Sequence, residues 1–152
     1  MMMNENLRFV MDESGRPYEP GEPEYERAVQ ETPDWYLRQL NGHKHLIIGN
    51  HDKATLDCEN AAKYLESVEK MQHVTDEDKQ ICLCHYPLAE WYKSRHGSWL
   101  IYGHIHGARD EVYEFMKTRE CALNAGACIN NYTPASFNEL VRNNKVFQEK
   151  DS

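Results

Sequence analysis

The chain has 152 residues and a formal net charge of -8, with 40% hydrophobic and 28% charged residues. That length suits one domain with a single core, and the balance excludes disorder as the whole answer. The acidic charge disfavours broad electrostatic binding of nucleic acid, but it leaves a phosphate substrate open, because a bound dication reverses the local field.

No apolar run reaches the roughly 20 residues that a bilayer-spanning helix needs, so no membrane partner is expected. The N-terminus lacks a basic start followed by an apolar stretch, which argues against a signal peptide. The five cysteines (Cys58, Cys82, Cys84, Cys121, Cys128) form no CxxC pair and read as free thiols in a reducing, cytoplasmic setting.

Residues 1–33 are rich in Glu, Pro and Gly and form a poorly assigned N-terminal segment, with a short strand at Leu7–Met11 and a helical turn or two at Glu24–Gln30. Residues 34–152 form the domain proper. Asp34 is read as the N-cap of a helix ending near Leu40, stopped by Asn41-Gly42. Lys44–Ile48 reads as a buried strand. Ala62, Leu65, Val68 and Met71 recur at helical spacing, predicting an amphipathic helix over Glu59–Met71. Gln80–Cys84 is a second buried strand, Leu88–Ser94 a short helix and Ser98–Tyr102 a third strand. Glu111–Lys117 suits either strand or helix, Cys121–Asn124 a strand, and Ser136–Val141 a short helix.

A short apolar strand followed by glycine or proline and then by polar residues recurs along the chain. An α/β sheet presents side chains in this way at the carboxyl ends of its strands. The residues at those ends are Asn50-His51-Asp52, His85 and His104-Ile105-His106. In extended backbone His104 and His106 project to one side, and glycines flank the pair. The Asn50 amide oxygen is a neutral hard donor, His51 a proton donor near neutral pH, and Asp52 an orienting carboxylate. Nitrogen and oxygen donors without thiolate suit Mn, Fe, Zn or Ni. The remaining histidines, His43, His45, His73 and His96, fit no such pattern and read as surface or packing residues.

GNHD at residues 49–52, CHYP at 84–87 and GHIHG at 103–107, in that order, resemble the calcineurin-like metallophosphoesterases, in particular small bacterial and phage phosphoesterases. The likeness runs from about Asp34 to Val141. It implies an α/β calcineurin-like sandwich of mixed sheets flanked by helices, with a dinuclear metal centre. Asn50, His85 and His104 would bind one ion and His106 the other, His51 would contact the phosphate and protonate the leaving group, and Asp52 would support it. The implied activity is metal-assisted hydrolysis of a phosphomonoester or phosphodiester.

The family's opening DxH strand and its bridging GD motif do not occur before Gly49. Val10-Met11-Asp12-Glu13-Ser14 is the nearest candidate, with Asp12 as a surrogate ligand, and no Gly-Asp pair occurs anywhere. Three expectations follow: an N-terminally shortened chain, a single-metal enzyme of weak activity, or a catalytically inactive phosphoesterase-like binding or scaffold protein. A mononuclear metal protein of unrelated chemistry is a further alternative. Missing first strands would leave a sheet edge exposed and favour a homodimer.

Overall fold

The computed structural model describes residues 19–30 and 32–150, and the backbone alone for 27–30. The strand expected at Leu7–Met11 and the Asp12 candidate lie outside the described residues. The chain is mixed α/β and divides into two compact units, one formed by residues 1–45 and 51–67, the other by 46–50 and 68–152.

Among the described residues the first unit carries four short helices: α1 (Pro23–Gln30), α2 (Pro33–Gln39), α3 (Lys53–Leu56) and α4 (Glu59–Ala62). α2 begins two residues earlier than expected. Pro33 occupies the first helical position, where its missing N–H costs nothing, so Thr32 and not Asp34 is the N-cap. Asp34 lies in the first turn, where its charge complements the helix dipole. Buried Cys58 and Ala61 anchor this unit.

β1 (His45–Ile47) and β2 (Ser67–Glu69) form a two-stranded sheet, with Ile48 N–H donating to Glu69 O at 2.8 Å. The helix expected over Glu59–Met71 is replaced by α4, β2 and the start of β3 (Met71–Asp76). Val68 and Met71, which set the apparent helical period, are exposed, and exposure along β3 alternates instead with period two. The deciding interaction is nonlocal. β3 pairs antiparallel with β4 (Lys79–Cys84) through a two-residue turn in which Glu77 takes φ 53°.

The second unit is built on a four-stranded sheet of order β3-β4-β5-β6, with β5 at Trp99–Tyr102 and β6 at Ala122–Asn124. β4, β5 and β6 run parallel, with Cys82 opposite Leu100 and Tyr102 opposite Asn124. Their carboxyl ends therefore emerge at one border of the sheet. No helix forms at Leu88–Ser94; this segment is irregular and ends in a 3-10 turn at Ser94–His96. It is held by Trp91 Nε1–H, which donates to Ser98 O at 3.1 Å, and by Ser98 Oγ, which donates to Tyr92 O at 2.6 Å.

α5 (Glu111–Lys117) is a helix capped by Asp110, whose carboxylate accepts from the N–H groups of Val112 and Tyr113. α6 (Phe137–Glu149) runs well beyond the expected Val141 and starts with a capping box between Ser136 and Glu139. The core of this unit is Cys82, Cys84, Leu100, Tyr102, Ile105, Tyr113, Met116 and Ala122. The two strand cysteines face it together as free thiols, and burial pushes the Cys82 thiol up. Among the described residues no helix is long and apolar enough to cross a membrane.

Burial, with a smaller contribution from Tyr113, pushes the Tyr102 phenol up to about 12, from an ordinary value of 10.0. The folded chain therefore holds this proton more tightly than the unfolded chain. The resulting stability is complete below pH 10 and is lost as pH rises through about 12. The urea midpoint should fall across that window, and Tyr102→Phe should flatten the fall. An equally steep fall in the variant would refute the assignment.

Candidate functional site

The site is built where β4 and β5 end. His85 directly follows β4, and Gly103 directly follows β5. Gly103 N–H donates to His85 O at 3.0 Å, which ties the two loops together. The next residue, His104, has φ 65°, and Ile105 N–H reaches back to Gly103 O at 2.8 Å. An i to i+2 bond around a residue of positive φ is a strained γ-turn, a conformation that persists only where its surroundings enforce it. Ile105 supplies that enforcement by burying its side chain in the core, while His104 and His106 on either side remain exposed.

Gly49-Asn50 supplies the third element. A Cβ at Gly49 would stand 2.6 Å from both Cε1 and Nδ1 of His85, so only glycine lets the backbone lie against that ring. The consequence is convergence. His85 Nε2 lies 2.8 Å from Asn50 Oδ1, and His104 Nδ1 lies 3.2 Å from the same oxygen. The two imidazoles pack at 5.3 Å between centroids, and Tyr86 meets His85 edge-on at 5.0 Å and His104 at a tilt at 4.6 Å.

These distances bear on two chemical descriptions. One amide oxygen can accept from two neutral imidazole N–H groups. Ligand bonds of about 2.1 Å would hold adjacent donors roughly 3.0–3.4 Å apart, and of the two approaches to Asn50 Oδ1 the one at 3.2 Å lies in that range while the one at 2.8 Å is hydrogen-bond length. The donor types, imidazole nitrogen and amide oxygen, fit a divalent cation of the Mn, Fe, Zn or Ni type. All three donors are neutral. Among the described residues no group of three or more His, Cys, Asp or Glu side chains is arranged to hold a metal ion.

The other expected site residues stand as follows. The His106 ring is exposed and makes no side-chain hydrogen bond to a described residue, but its main chain is gripped. His106 has φ 52°, and Asn124 Nδ2 donates to its carbonyl oxygen at 2.8 Å. His51 and Asp52 belong to the first unit, in the turn leading to α3, where Asp52 O accepts from Leu56 N–H at 2.9 Å. Among the remaining histidines, His43 hydrogen-bonds to Glu66 and holds its carboxyl below the ordinary range, with His45 3.9 Å from the other Glu66 oxygen. His73 meets Tyr92 edge-on.

Sequence reasoning passed over a buried asparagine network behind the site. Asn144, on α6, accepts from Asn124 N–H at 2.8 Å through Oδ1 and donates through Nδ2 to Asn124 O and Leu140 O, both at 2.9 Å. Its carboxamide thus satisfies the outer backbone groups of β6 much as a neighbouring strand would, closing the sheet edge at that point. Asn124 Oδ1 accepts from Gly126 N–H at 2.7 Å, and Asn130 Nδ2 donates to Gly126 O at 2.9 Å. The available signal was compositional: a polar residue ending the apolar run Ala122-Leu123, and an Asn143-Asn144 pair inside a helical stretch. A separate cavity of about 450 Å³, lined in part by Trp91, Arg95 and Arg119, shares no residue with the donor cluster.

Neither a family model nor a curated protein matches the chain. Among solved structures, AQ665 of Aquifex aeolicus, a protein of unknown function, is similar at 26% identity. That alignment covers 82% of this chain and 69% of the other, with a TM-score of 0.52.

Proposed function

We propose that this chain is a metal-dependent phosphoester hydrolase of the calcineurin-like metallophosphoesterase type, with a cation site formed by Asn50, His85 and His104. The observation that carries the reading is the convergence of two imidazole nitrogens on one amide oxygen at the ends of successive strands. The ordered motifs GNHD, CHYP and GHIHG add the reaction class by resemblance. A divalent cation held there supplies Lewis acidity toward a phosphoryl oxygen and neutralises its charge. Asn50 binds through its oxygen, and the Gly49 approach and Tyr86 packing fix the ring planes of His85 and His104. His51, the next residue after Asn50, is the proposed proton donor to the leaving group, and exposed His106 is the proposed ligand of a second ion.

The neutrality of the donor set favours a second reading, binding without catalysis, because a site lacking an anionic ligand holds dications weakly. One experiment separates the two. With Mn or Ni present, the purified chain should turn over an aryl phosphodiester, and His104→Ala should lower that rate by about 100-fold or more. Metal binding that persists alongside zero turnover at every metal concentration would establish the binding reading instead.

A further inference from the structure

Two loops that carry no common strand meet through a single carboxamide. Asn124 ends β6, yet its Nδ2 donates to His106 O at 2.8 Å and its Oδ1 accepts from Gly126 N–H at 2.7 Å. His106 sits at φ 52°, a left-handed conformation that a non-glycine residue adopts at a cost. With its ring making no hydrogen bond to a described residue, the orientation of His106 rests on its backbone. The packing leaves little slack. A Cβ added at Gly126 would stand 2.9 Å from Asn124 Oδ1 and 3.4 Å from both the Cα and the carbonyl oxygen of His106. Asn124 is itself 3% exposed and held at its own main chain by Asn144. A buried, doubly bonded side chain on a rigid frame is therefore clamped to the carbonyl of a strained, exposed histidine.

We propose that Asn124 is the positioning residue of this site: its carboxamide, holding the His106 carbonyl, fixes the left-handed turn that sets where the His106 ring points. The role rests on the hydrolase reading only for its catalytic consequence; the backbone effect stands independently. Asn144 supplies the comparison, because its hydrogen bonds go to the main chain of Asn124 and Leu140 and so it reports on stability.

The test uses the full chain with Asn124→Asp and Asn144→Leu, both assayed where they remain folded. Asn124→Asp keeps the acceptor for Gly126 and removes the donor to His106. In this variant the His106 carbonyl carbon resonance should move to a non-hydrogen-bonded position, and its HN–Hα coupling should lose the value of a fixed φ near 52°. With Mn present, kcat should fall about 10- to 100-fold while KM changes by less than about threefold. Asn144→Leu should keep both spectroscopic signatures, with kcat within about twofold of the parent. Unchanged His106 signatures in Asn124→Asp, or an equal loss of kcat in both variants, would overturn the proposal. If the parent turns over no substrate with any divalent ion, the hydrolase reading has failed, and the carbonyl shift and coupling decide the positioning role by themselves.

Discussion

Alanine at position 49 is expected to leave the fold standing and to disable the site. The new Cβ would meet His85 Cε1 and Nδ1 at 2.6 Å and Cγ at 2.9 Å, all below any tolerated contact. Gly49 has no positive φ, so alanine meets no backbone penalty there. The strain falls on the imidazole, which can rotate away at a cost of about 1–3 kcal/mol. That rotation breaks the 2.8 Å approach of Nε2 to Asn50 Oδ1, on which the donor geometry depends. A displacement near 1 Å at a reacting site costs on the order of 100-fold in rate, and loss of an orienting partner costs about 10- to 100-fold in metal affinity. Calorimetric titration with Mn or Zn and a urea melt should therefore diverge, with weak binding and a nearly parental midpoint. Parental metal affinity in Gly49→Ala would mean that the ring is not held where the site needs it.

The second large effect is expected on stability. Asn144→Leu keeps the branched side-chain shape but strips partners from the Asn124 N–H and the Asn124 and Leu140 carbonyls, in a buried setting where water does not replace them. Leaving such groups unmet costs about 1–3 kcal/mol each, so a total loss of roughly 2–5 kcal/mol is expected. Against a domain stability of about 5–15 kcal/mol that is a large fraction, readable as a lower urea midpoint with unchanged slope. Half-buried Asn143, whose Nδ2 donates to Asn130 Oδ1 at 2.9 Å, is the control. Its alanine variant should lose only about 1 kcal/mol. Equal losses at the two positions would show that the Asn144 bonds are individually dispensable.

The two effects bear on different links of the same chain of causes. Gly49 acts on a ring and leaves the frame alone. Asn144 acts on the frame that carries Asn124 and so on stability, whereas the His106 loop is held by the Asn124 side chain itself.

The sequence by itself determined the strands that carry the site. Apolar runs bounded by glycine or proline identify Lys79–Cys84, Trp99–Tyr102 and Ala122–Asn124 to within a residue or two, because a strand with a parallel neighbour inside a covered sheet is largely apolar on both faces; His45–Ile47 is also a strand, but none of its residues is buried as the run suggested. His85 and His104 were legible for the same reason, since polar residues just after neighbouring parallel strands share one border of the sheet; Asn50 follows β1 of the other sheet. The strands at 67–69 and 71–76 were not legible. The helical-looking spacing up to Met71 is local, whereas 67–69 pair with β1 and 71–76 with β4, and only those strand partners decide between the two periods. Only the tertiary structure decided which donors meet. It brings Asn50, His85 and His104 to a single oxygen, keeps the His106 ring outside those bonds, and sets a buried asparagine behind it. Motif spacing specifies residue types along a chain, but convergence within 3.2 Å depends on a missing Cβ at Gly49, a strained turn at His104 and the burial of Ile105 between two histidines.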